Sequence, residues 1–419
     1  VELLSAQLIR AAEAAPHYRK SFADAGLAIS ELARIPANPK SLDRLPLLTK
    51  DEVRAAPEAL LTRPAGELDL VTTSGSSGKP LAFFLDRDRS VVEWAFLLDA
   101  WAQVGFRPSD KRAALRGFEI PDVDTQPWEY EAGLRELRLS PFHMNDRWLP
   151  RYVEEISRRG IRYLHGYPSA IEILARFVER EGLSAFGQKI RGIILTSEAF
   201  YPHQAALFAR IFPAAKVLSF YGLSEKALFA TSDPDDPTLF SFNPLYGVCE
   251  LLDEGGRAVT EPGQTGRIIG TGLRFTGMPF IRYDTGDMGE LAEPPGPANG
   301  YRMSLRNITS RWGQEFLVGS NNEIISMTAL NIHSSAYATM QTFMIEQATP
   351  GLATVKAVLA PGHDARAAGE FVAEIGRKTG ENLRFMLEIV DDIPAGARGK
   401  RNWIRQSLDV ASLRETGNG

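Results

Sequence analysis

Thr72-Thr73-Ser74-Gly75-Ser76-Ser77-Gly78-Lys79-Pro80 is the stretch on which the reading of this chain turns. It gathers hydroxyls, glycines and one lysine, and the apolar run Leu81 to Leu85 follows directly. Glycine lets successive backbone N–H groups converge on an anion. The hydroxyls add donors, and the lysine adds a mobile positive charge. That combination suits a polyphosphate. The P-loop of nucleoside triphosphatases, G-x-x-x-x-G-K-[ST], fails on two counts. Gly75 and Gly78 stand too close together, and Pro80 occupies the place of the metal-binding Ser/Thr. A P-loop also opens a helix, whereas Pro80-Leu81-Ala82-Phe83-Phe84-Leu85 reads as a strand. The run describes a phosphate loop carried on a hairpin, with a solvated Gly/Ser turn as the plain alternative.

Around this stretch the chain has 419 residues, enough for a large core and more than one domain. Its hydrophobic fraction of 44% and charged fraction of 24% fit a soluble globular protein. The net charge of -5 argues against a nucleic-acid binder that works through bulk charge. The single Cys249 excludes an internal disulfide and a cysteine-rich zinc site, and it fits a reducing, cytoplasmic setting. No apolar run approaches the length of a membrane span. The start, Val1 to Ala15, carries Glu2, Arg10 and Glu13 and does not read as a signal peptide. Neither a nucleic acid nor a membrane is expected as a partner.

The pattern predicts helices over Ala6 to Phe22, Lys50 to Leu61 (with Thr49 as N-cap) and Asp88 to Val104. From about residue 145 strand and helix alternate. Helices are predicted over Leu149 to Arg159, Ser169 to Glu181 and Pro202 to Ile211. Strands are predicted over Ile161 to Leu164, Ile190 to Thr196 and Ala215 to Phe220. Such alternation implies βα units and a largely parallel sheet, whose ligands sit beyond the strand C-termini. Thr196-Ser197-Glu198 and Tyr221-Gly222-Leu223-Ser224-Glu225 both fall at that level. After Ser232 glycine and proline become frequent, and turns at Asp253-Glu254-Gly255-Gly256 and Pro262-Gly263 point to an antiparallel sheet or a distorted barrel. A domain boundary is expected near Arg311. Beyond it, strands at Phe316 to Val318, Thr354 to Leu359 and Leu387 to Val390, with helices at Ala329 to Tyr337 and Asp364 to Thr379, describe a small α+β domain.

Several motifs agree in order: Thr73 to Pro80; Tyr221-Gly222-Leu223-Ser224-Glu225; Pro279-Phe280-Ile281-Arg282-Tyr283-Asp284-Thr285-Gly286-Asp287; Ser310-Arg311; and Gly399-Lys400. Over essentially the whole chain this series resembles the acyl-adenylate-forming superfamily, and within it the phenylacetate–CoA ligase branch with its capsule-biosynthesis relatives. The resemblance implies an α/β fold with a large N-terminal multi-sheet adenylation core over 1–310. Its βα-sheet region would cover about 60–230 and its antiparallel, barrel-like region about 232–310, followed by a small mobile α+β lid domain over 311–419. It implies ATP and Mg2+, an aryl acid as the preferred substrate class, and CoA as the acceptor of its acyl group. A carboxylate attacks the α-phosphate, pyrophosphate leaves, and an acceptor then takes the acyl group from AMP. Charge handling and positioning carry such a reaction, without a covalent protein nucleophile. The sequence leaves open two other readings: transfer to a small-molecule amine or hydroxyl, and a non-catalytic nucleotide-binding protein. It does not fix the oligomeric state, and a homodimer is compatible with it.

The resemblance also assigns roles. Thr73, Ser74, Gly75, Ser76, Ser77, Gly78 and Lys79 would hold the β- and γ-phosphates. Tyr221 beside Gly222 would stack on adenine, with a buried core aromatic as the alternative, and Ser197 and Glu198 would line the same base, with an ordinary helix-start cap as theirs. Ser224 would donate to the α-phosphate or the substrate carboxylate. Glu225 would bind Mg2+, since carboxylate oxygen suits a hard cation; the alternative is a surface glutamate. Asp287 would accept both ribose hydroxyls, or serve as a turn aspartate beside Gly286. Arg311 would contact ribose or phosphate from the hinge. Lys400 would neutralise charge at the α-phosphate, or belong to a basic tail with Arg398 and Arg401. His165, Tyr167, Ala199 and Phe220 would line the acid pocket, although buried aromatics are more often core. The hinge reads Ser310-Arg311-Trp312-Gly313-Gln314 where relatives often carry Gly-Arg-x-Asp-Asp, and the segment after it, Gly319 to Ser326, also departs from the CoA-ligase pattern.

Overall fold

Pro16 divides the N-terminal helical stretch in two. A proline lacks the N–H that would continue a helix and pushes the residue before it into an extended conformation. Ala15 is accordingly extended (φ -91°, ψ 120°), and helices Glu2–Ala14 and Pro16–Asp24 flank it in place of one predicted helix. This computed structural model describes residues 1–35, 39–73, 81–198, 200–309, 316–326, 339–360, 362–393 and 404–408. Ser74, Gly75, Ser76, Ser77, Gly78, Lys79, Ala199, Arg311 and Lys400 lie outside the described residues, as does the helix predicted over Ala329 to Tyr337.

The chain divides into two compact units. The first holds Val1–Thr73, Leu81–Leu97 and Phe220–Arg311. In it, helix Lys50–Ala55 starts where predicted. Thr49 Oγ1 accepts from Glu52 N at 3.3 Å, and the Glu52 carboxylate accepts from Thr49 N at 2.7 Å, a reciprocal cap. The helix stops before Pro57, and the 3-10 turn Pro57–Leu60 takes over the rest of the predicted span. Strands Leu68–Thr73 and Leu81–Asp86 pair antiparallel with Thr73 opposite Leu81. The Gly/Ser/Lys run therefore joins the two arms of a hairpin, as its sequence suggested.

The antiparallel region of this unit runs in the order Gly247–Leu252, Thr265–Gly272, Tyr283–Glu293, Ser304–Thr309, Phe240–Phe242, Phe229–Ser232. The last strand pairs with Phe220, Tyr221 and Gly222 at the end of strand Lys216–Gly222. The N-terminal helices pack Leu8, Tyr18 and Phe22 onto Phe83, Phe280 and Ile281. Tyr18 Oη donates to Pro279 O at 2.7 Å and accepts from Ile281 N at 3.1 Å. Leu48 bonds Arg282 O and Asp284 N through its backbone at 3.0 and 2.9 Å. The segment that leads into Tyr283 and Asp287 is thereby fixed from outside its own sheet.

The second unit holds Ser74–Pro80, Leu98–Ser219 and Trp312–Gly419. Its parallel sheet runs Glu136–Leu139, Arg112–Leu115, Tyr163–Gly166, Gly192–Leu195 and then the first residues of Lys216–Gly222, with Trp128–Glu131 antiparallel on the outer edge. Helices Leu149–Arg158, Pro168–Arg180 and Pro202–Ile211 alternate with these strands, as predicted. Leu115, Leu164, Ile193 and Leu195 are fully buried against Tyr152, Leu174 and Phe208. Toward the C-terminus, Phe316–Val318 pairs with Ile324–Ser326. A mixed sheet follows in the order Arg384–Ile389, Leu352–Leu359, Met340–Thr349, Ile404–Gln406, accompanied by helix Ala365–Thr379. This α+β portion is held to the rest of its unit by Asn145 donating to Glu323 at 3.0 Å, Arg377 to Glu119 at 2.7 Å and Glu381 N to Asp124 at 2.9 Å. Among the described residues no helix is long and apolar enough to cross a membrane.

Where strands Arg112–Leu115 and Glu136–Leu139 begin, Arg112 and Glu136 form an ion pair at 2.7 Å with 5% of each side chain exposed, and Arg138 adds a second contact to Glu136 at 3.2 Å. Removing one member of a buried pair strands the other charge. Glu136→Ala should lower unfolding free energy in urea by about 3–5 kcal/mol, and adding Arg112→Leu should restore part of that loss. A single variant as stable as the parent would show that the pair is dispensable.

Candidate functional site

Two sequence motifs of the first unit brace one another. Tyr221, near the end of strand Lys216–Gly222, donates its hydroxyl to Asp287 Oδ2 at 2.8 Å. Tyr283, which opens strand Tyr283–Glu293, donates its hydroxyl to Glu225 Oε1 at 2.6 Å. Each motif thus supplies a tyrosine to the other motif's carboxylate. Burial first, then the Asp287 charge, raises the Tyr221 pKa well above the usual phenol value. Burial and the Glu225 charge do the same for Tyr283. Both phenols remain protonated donors at neutral pH.

The loops that carry these groups are locally determined. Gly286 sits at φ +77°, a conformation that glycine adopts without strain, and its N–H bonds the Asp284 carboxylate at 2.9 Å. Thr285 Oγ1 donates to Ile268 O at 2.8 Å and accepts from Asp287 N at 3.1 Å, fixing the Asp287 backbone. Arg282 holds the strand entry by bonding Leu45 O at 2.6 Å and pairing with Glu250 at 3.0 Å. On the other motif Lys226 takes a left-handed φ of +60°, and its ammonium reaches Glu93 at 2.6 Å. Tyr246 Oη also donates to Glu93, so a lysine, a glutamate and a tyrosine tether the turn that presents Glu225. Gly222 is exposed, Ser224 is half-buried, and Phe220 lies against Phe229 with ring centres 5.8 Å apart.

Glu225 is 7% exposed and Asp287 8%. Among the described residues no cluster of three or more His, Cys, Asp or Glu side chains is placed to hold a metal. One nearly buried carboxylate is nevertheless the donor set expected of Mg2+, which takes one or two protein carboxylates and completes its octahedron with water and substrate phosphate.

In the second unit the strand ends carry another group. Thr196 and Ser197 follow strand Gly192–Leu195 and share a hydrogen bond of 3.1 Å, with Ser197 at φ +67°. Glu198 accepts from Ser169 N and Ser169 Oγ, both at 3.1 Å, and so caps the N-terminus of helix Pro168–Arg180, where a carboxylate meets the positive helix end. Tyr167 is 1% exposed and accepts from Gly117 N at 3.2 Å. His165 is 3% exposed and packs its ring 4.9 Å from that of Trp101. Neither ring nitrogen of His165 has a hydrogen-bond partner among the described residues.

The chain can now be set against known proteins. No protein-family model matches it. Protein CapK of Staphylococcus aureus is 24% identical over 380 residues, which span 87% of this chain and 80% of CapK. Among solved structures, 2-hydroxyisobutyryl-CoA ligase is similar in its postadenylation state with R3-HIB-AMP, at a TM-score of 0.59 and 18% identity over 99% of this chain and 90% of that one. The same ligase with 2-HIB-AMP and CoA in the thioesterification state gives a TM-score of 0.61 and 17% identity over 100% and 92%. The chain has the fold of the adenylate-forming ligases.

Of the residues singled out in the sequence, Tyr221 meets Asp287 and Glu225 meets Tyr283 in the first unit, whereas Tyr283, Thr285 and Glu93 had been given no role. Tyr283 had been quoted as a member of the Pro279 to Asp287 motif with no partner assigned to it. No sequence period announces a hydrogen bond between residues 58 positions apart.

His165 offers a test by pH. Burial, then Arg116 and Arg112, pushes its pKa well below the usual imidazole value. The unfolded chain therefore binds a proton near pH 6.5 that the folded chain refuses, and stability falls as pH drops below that point. The slope of unfolding free energy from this one group should approach about 1.4 kcal/mol per pH unit under pH 6. Urea titrations between pH 8 and pH 5 check this: His165→Phe should show a shallower acid loss than the parent, and equal slopes would contradict it.

Proposed function

We propose that the chain is an ATP-dependent ligase that activates a carboxylic acid as acyl-AMP and then passes the acyl group to CoA. The observation that carries this reading is the reciprocal bracing of Tyr221 with Asp287 and Tyr283 with Glu225, on a fold shared with a ligase seen with acyl-AMP and CoA. An oxygen of the substrate carboxylate forms a bond to the α-phosphorus while the bond to pyrophosphate breaks. The thiol sulfur of CoA then bonds to the acyl carbon, its proton leaves, and AMP departs. An aryl acid is the first class to try.

In this reading Asp287 accepts the ribose hydroxyls, and Tyr221 orients that carboxylate while offering its ring to adenine. Ser197 and Glu198 border the base, and Ser224 donates to the α-phosphate or the acid. Thr73 through Lys79 hold the departing phosphates, Arg311 steadies the nucleotide, and Lys400 neutralises charge on the α-phosphate. Glu225 holds Mg2+, which offsets phosphate charge when bound. The part beyond Arg311 acts as the lid. The departures at Ser310 to Gln314 and Gly319 to Ser326 favour a second reading, in which a small-molecule amine or hydroxyl replaces CoA.

Hydroxylamine trapping of acyl-AMP over a panel of aryl and alkyl acids, with and without CoA, separates these readings. CoA-dependent AMP release supports the first, AMP release that requires an amine or alcohol supports the second, and no trapping with any acid removes both. Lys400→Ala should cut adenylation by on the order of a hundredfold, as for loss of one preorganised charge-stabilising donor, and should spare transfer from supplied acyl-AMP. Tyr283→Phe removes a hydrogen bond to a charged acceptor, a change of about 1.5 kcal/mol or more. It should raise the Mg2+ concentration for half-maximal pyrophosphate exchange on the order of tenfold while moving the KM for the acid little. An unchanged Mg2+ requirement would detach Tyr283 from the Glu225 role.

A further inference from the structure

Arg384-Phe385-Met386-Leu387-Glu388-Ile389 is the outermost strand of the mixed C-terminal sheet, within the second unit. Its inner side pairs in parallel with Leu352–Leu359 without a shift of register, and no described strand lies beyond it. Arg384 N bonds Gly351 O at 2.9 Å, and Val390 N bonds Ala357 O at 3.0 Å. Successive residues of a strand turn their backbone groups to opposite sides, so Phe385, Leu387 and Ile389 present N–H and C=O to the open edge. Side chains alternate as well. Phe385 and Leu387 pack on the core cluster that holds Phe371 and Ile375 of helix Ala365–Thr379. Arg384, Met386 and Glu388 share the other face, where each is more than half exposed.

An unbulged edge with an exposed methionine invites a further strand, and charged side chains ordinarily guard against one. Here the two charges are opposite in sign and stand equally far on either side of Met386. An antiparallel copy of the same strand, centred on Met386, sets Arg384 of each copy opposite Glu388 of the other. It also sets Phe385 opposite Leu387, the residues whose outward backbone groups can exchange hydrogen bonds. Met386 then meets its own copy at a non-hydrogen-bonded position, where facing side chains come closest. Centring on Leu387, the next register the backbone allows, would set Glu388 opposite Met386 and Arg384 opposite Val390, and both ion pairs would be lost. Within one copy, Glu381 and Lys356 stand 3.8 Å from Arg384 and Glu388, loose contacts on an exposed face.

We propose that this edge is a self-association surface: two copies of the chain pair through Arg384–Ile389, antiparallel about Met386, and join their four-stranded sheets into one. The contact is self-complementary and closes as a two-fold dimer. It does not depend on the proposed ligase activity.

The test is sedimentation velocity with light scattering on the full chain over a concentration series. The parent should dimerise reversibly. Arg384→Glu or Glu388→Arg alone places like charges opposite one another twice per dimer and should raise Kd by about tenfold or more, and the double reversal should return it close to the parent value. The replaced side chains are exposed, and an unchanged Tm checks that the fold is kept. A third variant reads the register. Met386→Cys should form an intermolecular disulfide under mild oxidation, since the Cα atoms of a non-hydrogen-bonded antiparallel pair stand about 4.5 Å apart, within the span of a disulfide. The parent, whose single Cys249 is buried, gives the background. A parent that stays monomeric at every concentration overturns the proposal. So does a dimer whose Kd ignores both single reversals, a double variant no tighter than the singles, or a Met386→Cys chain that does not crosslink.

Discussion

Two phenol hydroxyls, each bonded to a carboxylate from the other's motif, set the constraint on which the first unit's geometry depends. A buried carboxylate must be given donors, because desolvation of an unpaired charge is prohibitive. Tyr221 and Tyr283 supply them at 2.8 and 2.6 Å. The bonds hold only if both strands keep their register and both turns keep their shape. That explains the amount of structure spent on their surroundings. Tyr18 and Leu48 pin the segment before Tyr283, Arg282 is tied to Leu45 and Glu250, and Glu93 tethers Lys226. Lys226 and Arg282 occupy left-handed backbone conformations, which non-glycine residues keep when their surroundings fix them.

The second unit solves a different problem. Its parallel strands are short and buried on both faces, as such sheets generally are. One face is apolar and packs on helices through Leu115, Leu164 and Ile193. The other carries Arg112 and His165, and the Arg112 charge is balanced at Glu136. The close approach of Leu115 to Gly166 brings the polar strand ends into reach of one another.

Much of this was legible in the sequence where local physics decides. The hairpin under the Gly/Ser/Lys run, the helix Pro202–Ile211 and the cap at Thr49 came from turn chemistry, apolar period and capping residues. Strands Trp128–Glu131 and Glu136–Leu139 escaped notice because their charged residues obscure the pattern; only the fold pairs Arg112 with Glu136 and Arg138 with Glu129. The helix break at Ala15 was readable from Pro16 and was overridden by the apolar period on either side. Glu198 was placed beside the adenine by resemblance; that it also caps a neighbouring helix was not legible, because a cap on a different segment has no sequence signature. Of the site, the carboxylates were visible as motif members. So were their tyrosine partners, but the pairing was not, because it is made by tertiary structure alone.

The choice of partner separates the acids of this chain by use. Glu136 and Glu250 face arginines, which cancel their charge and leave them as structural ties. Glu225 forms no ion pair among the described residues and takes its hydrogen bond from Tyr283. A guanidinium would have fixed Glu225 equally well and would have opposed any cation brought to it. A phenol whose pKa is raised by burial and by the acid itself fixes the carboxylate without neutralising it. The negative charge stays available for a cation at the site. Orientation and charge are thereby controlled by separate means, as the proposed Mg2+ role of Glu225 requires.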